Sequence, residues 1–190
     1  MKTLIGVLFS TALVAACIAS PAMAAPQGPW VLPASDLTAT GQSASAPEIT
    51  TAPAGTKTAV WYRDNGSHFI IQAATRLPGG IFGTPVDLSA TGQEALSPEI
   101  ITARDGTTTA VWRRSDGANS IIQAATRPPG GSFGTPVDLS ATGQDAFEPH
   151  IATAPDGTAT VDWYRSNGSN NIIQAAIRPP DGTFGTPVDL

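Results

Sequence analysis

The 190-residue chain has a single cysteine, Cys17, and two histidines, His68 and His150. One cysteine excludes an intramolecular disulfide framework and any multi-cysteine zinc centre. Two histidines leave little material for a histidine-rich metal site, so neither a metal nor a cofactor is expected. Charge is scarce as well: charged residues are 13% of the chain, ten basic against fifteen acidic, for a net charge of −5. So few cations exclude a nucleic-acid surface, which works through clustered Lys and Arg. Helical patterns are missing too, because beyond the first two dozen residues no stretch of ten lacks a Gly, a Pro or a β-branched cluster. What the chain does have is nineteen Gly, seventeen Pro and 41% hydrophobic residues. That is the balance of a turn-rich all-β protein and not of a disordered one.

The start of the chain reads as an address. Met1-Lys2 precedes a mostly apolar run over residues 3–19, and Ala22-Met23-Ala24 follows with small residues where a signal peptidase reads them. Residues 1–24 are therefore expected to be a secretory signal peptide, cleaved after Ala24. A second reading stands beside it: Val14-Ala15-Ala16-Cys17 resembles a bacterial lipobox, which implies a lipid anchor at Cys17. Either way no transmembrane span is expected in the mature chain. Loss of residues 1–24 removes Lys2 and no acid, so the net charge moves from −5 to −6. It also removes the only Cys and both Met, which suits an oxidising exterior. The expected location is secreted, or lipid-anchored on the alternative reading.

The rest is organised by a repeat of 51 residues. Val86-Asp87-Leu88 recurs at Val137-Asp138-Leu139 and Val188-Asp189-Leu190. Trp61, Trp112 and Trp163 keep the same spacing, as do Gln72, Gln123 and Gln174. Between residues 69–93 and 120–144 only three positions differ. A long, unbroken period marks a structural unit. In the middle copy it reads as four short strands: A over 99–103, B over 107–114, C over 120–127 and D over 133–139. Ser115-Asp116-Gly117 between B and C predicts a tight hairpin with a type I′ turn, as do Asp64-Asn65-Gly66 and Ser166-Asn167-Gly168.

Four antiparallel strands repeated every 40–50 residues predict β-propeller blades. Residues 25–34 become a linker and the start of an extra strand, and residues 35–85, 86–136 and 137–187 become three repeats. Residues 188–190 complete the last outer strand. The motifs T-A-V-W, I-I-Q-A-A-T-R and F-G-T-P-V-D-L over residues 35–190 resemble the secreted bacterial β-propellers with sialidase-like, or BNR-like, repeats. The resemblance implies a propeller and, for the catalytic members, glycoside hydrolysis. The Asp-box is altered here: Asp105-Gly106 and Asp156-Gly157 are adjacent, and Ala54 replaces the acid in the first copy.

Three blades make an arc with two apolar end faces. Two chains give six blades, so a homodimer completing a six-bladed ring is expected, the competing reading being a piece of a longer propeller. Asp162, where the other copies have Val60 and Val111, points to a third-blade face that meets water or a polar partner, or else pairs with an Arg across the sheet.

Connectivity puts the D–A and B–C loops on one rim, and the candidate ligand residues lie there or beside it. Arg63, Arg114 and Arg165 near the rim are candidates to bind ligand, or to be neutralised by the strand D aspartates. Asn65, Asp116 and Asn167 can hydrogen-bond sugar hydroxyls or serve only the turn. Trp61, Trp112 and Trp163 can stack on a sugar or pack between blades, and their mid-strand position favours packing. Gln72, Gln123 and Gln174 are expected to bridge backbone groups. Strand A is innermost in a propeller, which gathers Glu48, Glu99 and His150 at the channel mouth. No G-x-S-x-G, P-loop or H-E-x-x-H is present. The expected function is a secreted, non-enzymatic propeller that binds glycan or another cell-surface ligand through repeated rim sites. The alternatives are a protein-interaction or structural propeller without a small-molecule site, and a degenerate sialidase-like hydrolase.

Overall fold

Every sheet takes three strands from one repeat and its outer strand from the residues that follow it. The computed structural model describes residues 35–190; the signal peptide expected at 1–24, Cys17 and the linker at 25–34 lie outside the described residues. The first sheet has β1 (Ala44–Thr51), β2 (Lys57–Asp64), β3 (Phe69–Arg76) and β4 (Val86–Asp87) in sequence order. The second has β5 (Ala95–Thr102), β6 (Thr108–Ser115), β7 (Ser120–Arg127) and β8 (Val137–Asp138). The third has β9 (Ala146–Thr153), β10 (Ala159–Ser166), β11 (Asn171–Arg178) and β12 (Val188–Asp189). All neighbours pair antiparallel, and the described residues contain no helix. These are the three four-stranded blades that the repeat predicts.

The blades stack through a division of labour between their two faces. Val60, Ile71, Ala73 and Leu88 of blade 1 meet Ala95, Ala110, Trp112 and Ala125 of blade 2. One period later Val111, Ile122, Ala124 and Leu139 of blade 2 meet Ala146, Val161, Trp163 and Ala176 of blade 3. Each blade thus offers a branched aliphatic face forward and a Trp/Ala face backward. Small alanines let the sheets approach, and the indole fills the gap that remains. Burying one indole is worth roughly 4–6 kcal/mol of transfer free energy. Arg127 adds a polar stitch: Nη1 donates to Thr75 Oγ1 at 3.0 Å and Nη2 to Thr58 Oγ1 at 2.9 Å, both in the preceding blade.

Three local expectations are corrected. Strand A begins four residues early, at Ala95 instead of Glu99, and carries a bulge between Leu96 and Glu99. Pro98 has no N–H for the ladder, and the bulge, with Ser97 at φ 53°, takes it out of register. Ala46 and Glu148 do the same before Pro47 and Pro149, at φ 49° and 52°. Strand D shrinks to Val137–Asp138 because Pro136 has no N–H for the ladder, and before it the Gly134 N–H meets the Thr126 carbonyl of β7 one residue out of register. In the hairpins, positive φ belongs to Gly66, Gly117 and Gly168 alone (96°, 101° and 95°). Type I′ needs positive φ at both central residues, so these turns are not the type I′ expected.

These hairpins are locked by a side chain that differs between copies, and this leads to a pH prediction. Asp116 Oδ1 accepts from the N–H groups of Ala118 and Asn119 at 2.9 and 2.7 Å. Those two backbone bonds hold its carboxyl below the usual aspartate range. Asn65 and Asn167 accept the equivalent pairs, from Ser67 and His68 and from Ser169 and Asn170. A depressed carboxyl supports the fold above its unfolded pKa and loses that support as pH falls through its folded pKa. Exchange protection at Ala118 and Asn119, corrected for intrinsic rates, is therefore expected to fade on acidification through the aspartate range. The Asn65 and Asn167 hairpins are expected to keep theirs, and equal loss in all three would refute the assignment.

Candidate functional site

The sheet network accounts for most of the rim candidates. Arg63, Arg114 and Arg165 pair with Asp87, Asp138 and Asp189 at 3.7, 3.4 and 3.8 Å. The same aspartates accept from Gln72, Gln123 and Gln174 Nε2 at 2.7 Å in every blade. The glutamines therefore hold the strand D acid, and do not bridge backbone groups as expected. Arg63 also donates to Gln42 Oε1 at 2.8 Å, and Arg114 to Gln93 Oε1, both from D–A loops. The network ties strands B, C and D with charge-assisted bonds. It engages these arginines in the sheet, which is the pairing with the strand D aspartates named as their alternative role.

The same holds for two other sets. Asn65, Asp116 and Asn167 spend an acceptor oxygen on two backbone N–H groups each. Asn65 Nδ2 is also used, donating to the Thr91 carbonyl of the next D–A loop at 2.8 Å. All three are turn residues, and Asn65 also fastens its hairpin to the following loop. Trp61, Trp112 and Trp163 are buried, so no ring presents a face on which a sugar can stack. Trp112 and Trp163 pack between blades, and Trp61 packs on its own blade with Leu37 and Phe82, the packing that their mid-strand position favours.

Glu48, Glu99 and His150 differ from all of these. Each lies on the edge strand of its sheet, and β1, β5 and β9 lie side by side. They occupy equivalent registers, opposite Val60, Val111 and Asp162. His150 Nδ1 lies 3.7 Å from Glu99 Oε1, with both side chains open to solvent. Partial burial raises the Glu99 carboxyl above its ordinary value; Glu48 adds to this and His150 offsets part of it. A row of two carboxyl groups and an imidazole along three adjacent inner strands can accept and donate hydrogen bonds to a polar ligand. None of the three is bound into the sheet network. Among the described residues no group of three His, Cys, Asp or Glu is arranged to hold a metal ion.

A cleft missed by sequence reasoning opens on the opposite rim, between the A–B and C–D turns of blades 1 and 2. It has a volume of about 450 Å³ and is lined by Pro53, Leu77, Arg104, Asp105, Pro129 and Phe133 among others. The available signal was the A–B turn, where Pro53-Ala54 in one copy is Arg104-Asp105 in the next. Arg127 also lines it, but its guanidinium is spent on three threonines and lies 5.6 Å over the Phe133 ring. The walls are mainly apolar.

No protein-family model matches the sequence, and no curated protein matches it. Solved structures do. An endo-arabinase from Bacteroides thetaiotaomicron superposes with a TM-score of 0.52 at 16% identity, over 76% of this chain and 60% of that one. An α-L-arabinanase of Penicillium chrysogenum, complexed with arabinobiose, gives 0.53 at 12% identity over 76% and 49%. A GH93 α-L-arabinofuranosidase of Fusarium graminearum, also with arabinobiose, gives 0.50 at 13% identity over 74% and 52%. The chain spans about half to three-fifths of the length of these proteins. At such identities the likeness shows the fold: three blades of β-propeller type, similar to arabinanase-type glycoside hydrolases, with no support for a sialidase-like identity.

Proposed function

We propose that the chain is a secreted glycan-binding propeller whose ligand sits over the innermost strands, against Glu48, Glu99 and His150. The observation that carries this is the contrast within the candidate set. Arg63, Arg114 and Arg165, the three Trp and the hairpin Asn or Asp are engaged in holding sheets and turns, while the inner row interacts only within itself. This moves the site from repeated rim positions to one place on the axis. Two structural neighbours are complexes with arabinobiose, so the ligand class proposed is a short neutral oligosaccharide. Hydroxyl pairs on a furanose or pyranose match a row of carboxylates and an imidazole.

Binding without turnover is the reading we favour, because nearly every Arg, Asp and Tyr here belongs to a repeated position. A second reading, hydrolysis, is favoured by one observation: Glu48 and Glu99 stand at equivalent registers on the adjacent strands β1 and β5, with partial burial raising the Glu99 carboxyl above its ordinary value. A pair of carboxyl groups is the minimum for glycoside hydrolysis. Calorimetric titration of the full chain with arabinobiose and a panel of neutral oligosaccharides tests the first reading. Saturable binding is expected, with affinity falling about tenfold in the Glu99→Gln variant as a charge-assisted bond is lost. No binding across the panel would overturn it. Sugar release from arabinan by the wild-type chain, absent in Glu99→Gln, would establish the second.

A further inference from the structure

Two buried arginines stand at equivalent places in the two blade junctions, in unlike surroundings. Arg127 and Arg178 end strand C of blades 2 and 3, and they are 6% and 4% exposed. A guanidinium keeps its charge at any depth, so a buried one calls for an acid. At the junction of blades 2 and 3 the preceding blade supplies Asp105. Hydrogen bonds from the Thr107 N–H and hydroxyl, and through space the charge of Arg178, hold that carboxyl below the usual aspartate range. At the junction of blades 1 and 2 the residue in that place, one period earlier, is Ala54. Arg127 bonds to three threonine hydroxyls, which carry no charge, and makes no ion pair among the described residues. Burial pushes its pKa below the ordinary arginine value, and no acid offsets that.

The missing acid falls at the cleft between blades 1 and 2. Ala54 and Arg127 both line it, and so does Arg104, which is exposed and makes no ion pair among the described residues. Asp105 is the one acid of the lining, and its carboxylate is already bonded to Thr107. The cleft thus sets two cations against one acid, in a chain whose net charge is −5. The equivalent places one period later hold Arg104 and Arg178 against Asp105, Asp156 and Asp181, which reverses the balance. Only the first junction is left cationic, and its cleft of about 450 Å³ has the size of a small-molecule site.

We propose that this cleft binds a small carboxylate with an apolar body, its charge taking the place that Ala54 leaves empty near Arg127 and Arg104. Pro53, Leu77, Pro129 and Phe133 hold the body. The ligand's carboxylate does for Arg127 what Asp105 does for Arg178, and the exposed Arg104 offers it a direct charge-assisted bond. The apolar walls select against acids whose body is polar, because hydroxyl groups placed there lose their water without gaining partners.

Nuclear magnetic resonance titration of the 190-residue chain with phenylacetate is expected to give saturable shifts at the Gly106 and Gly131 amides, which line the cleft. Phenylacetamide, the same body without the charge, is expected to bind about tenfold more weakly. Acetate, the charge without the body, is expected to lose about tenfold as well. Ala54→Asp puts back the acid of the other two copies at an exposed turn position, so the fold is expected to stand while phenylacetate affinity drops about tenfold. Arg104→Gln is expected to cost about threefold. Equal affinity for the acid and the amide overturns the proposal, because the charge is then not recognised. Binding that Ala54→Asp leaves unchanged overturns it too, by placing the site elsewhere, as does the absence of binding at millimolar phenylacetate. The axial reading is tested with neutral sugars and stands or falls separately.

Discussion

Replacing Trp112 by alanine is expected to destabilise the chain by about 3–5 kcal/mol. For a chain of this size that is a fall in melting temperature of about 10 °C. The indole is fully buried, and the groups around it come from two blades: Val60, Ile71, Ala73 and Leu88 in front, Ala95, Ala110 and Ala125 beside it. Three of these neighbours are alanines of its own blade, which have no side chain to collapse into the space. Sheets held by ladder bonds cannot close the gap without breaking register. The cavity therefore persists, and the cost falls at the upper end of the range for large-to-small changes. Thermal unfolding followed by circular dichroism checks it. A change below about 1 kcal/mol would mean that the blades do not stack through this side chain.

Val111→Asp carries the second large effect, at about 3–5 kcal/mol destabilising. The same residue type is already present one period later, at Asp162, so the comparison isolates environment from chemistry. Val111 is buried among Ile122, Ala124, Leu139, Trp163 and Ala176, where a carboxylate has no cation and no water. It also stands directly opposite Glu99 in the β5–β6 ladder, so the new charge meets one of its own sign. Asp162 instead faces His150 and lies on a partly exposed face. The three copies thus show Glu48 with Val60, Glu99 with Val111, and His150 with Asp162: where strand B gains an acid, strand A gives one up. Adding Glu99→His to the Val111→Asp variant is expected to recover part of the loss, measured by chemical denaturation. Equal stability of the single variant and the wild type would show that the blade 2–blade 3 interface is open to solvent.

The legible part of this protein was the part fixed by local pattern. Asn-Gly and Asp-Gly between two alternating runs specify a hairpin before any tertiary contact forms, and all three hairpins are where the repeat put them. Buried polar roles were less legible. Gln72, Gln123 and Gln174 could be read as holding backbone groups or side chains. The choice fell to strand D, whose short two-residue pairing presents Asp87, Asp138 and Asp189 to them. The early start of strand A was hidden because a Pro within a run reads as a break, and the bulge that tolerates it depends on the neighbouring strand. The rim arginines were ambiguous for a similar reason: a side chain that reaches a loop also reaches the acid one strand away.

The sequence alone determined the repeat, the strand number per blade, the turns and the set of side chains able to meet a ligand, because period, alternation and turn chemistry act over a few residues. Which of those side chains remain free was decided only by the tertiary structure. Antiparallel pairing brings strands B, C and D within bonding distance of one another and consumes Arg, Gln and Asp in a single network, while stacking consumes the indoles. Strand A lies at the sheet edge beside its counterparts in neighbouring blades, so Glu48, Glu99 and His150 face one another and not the network.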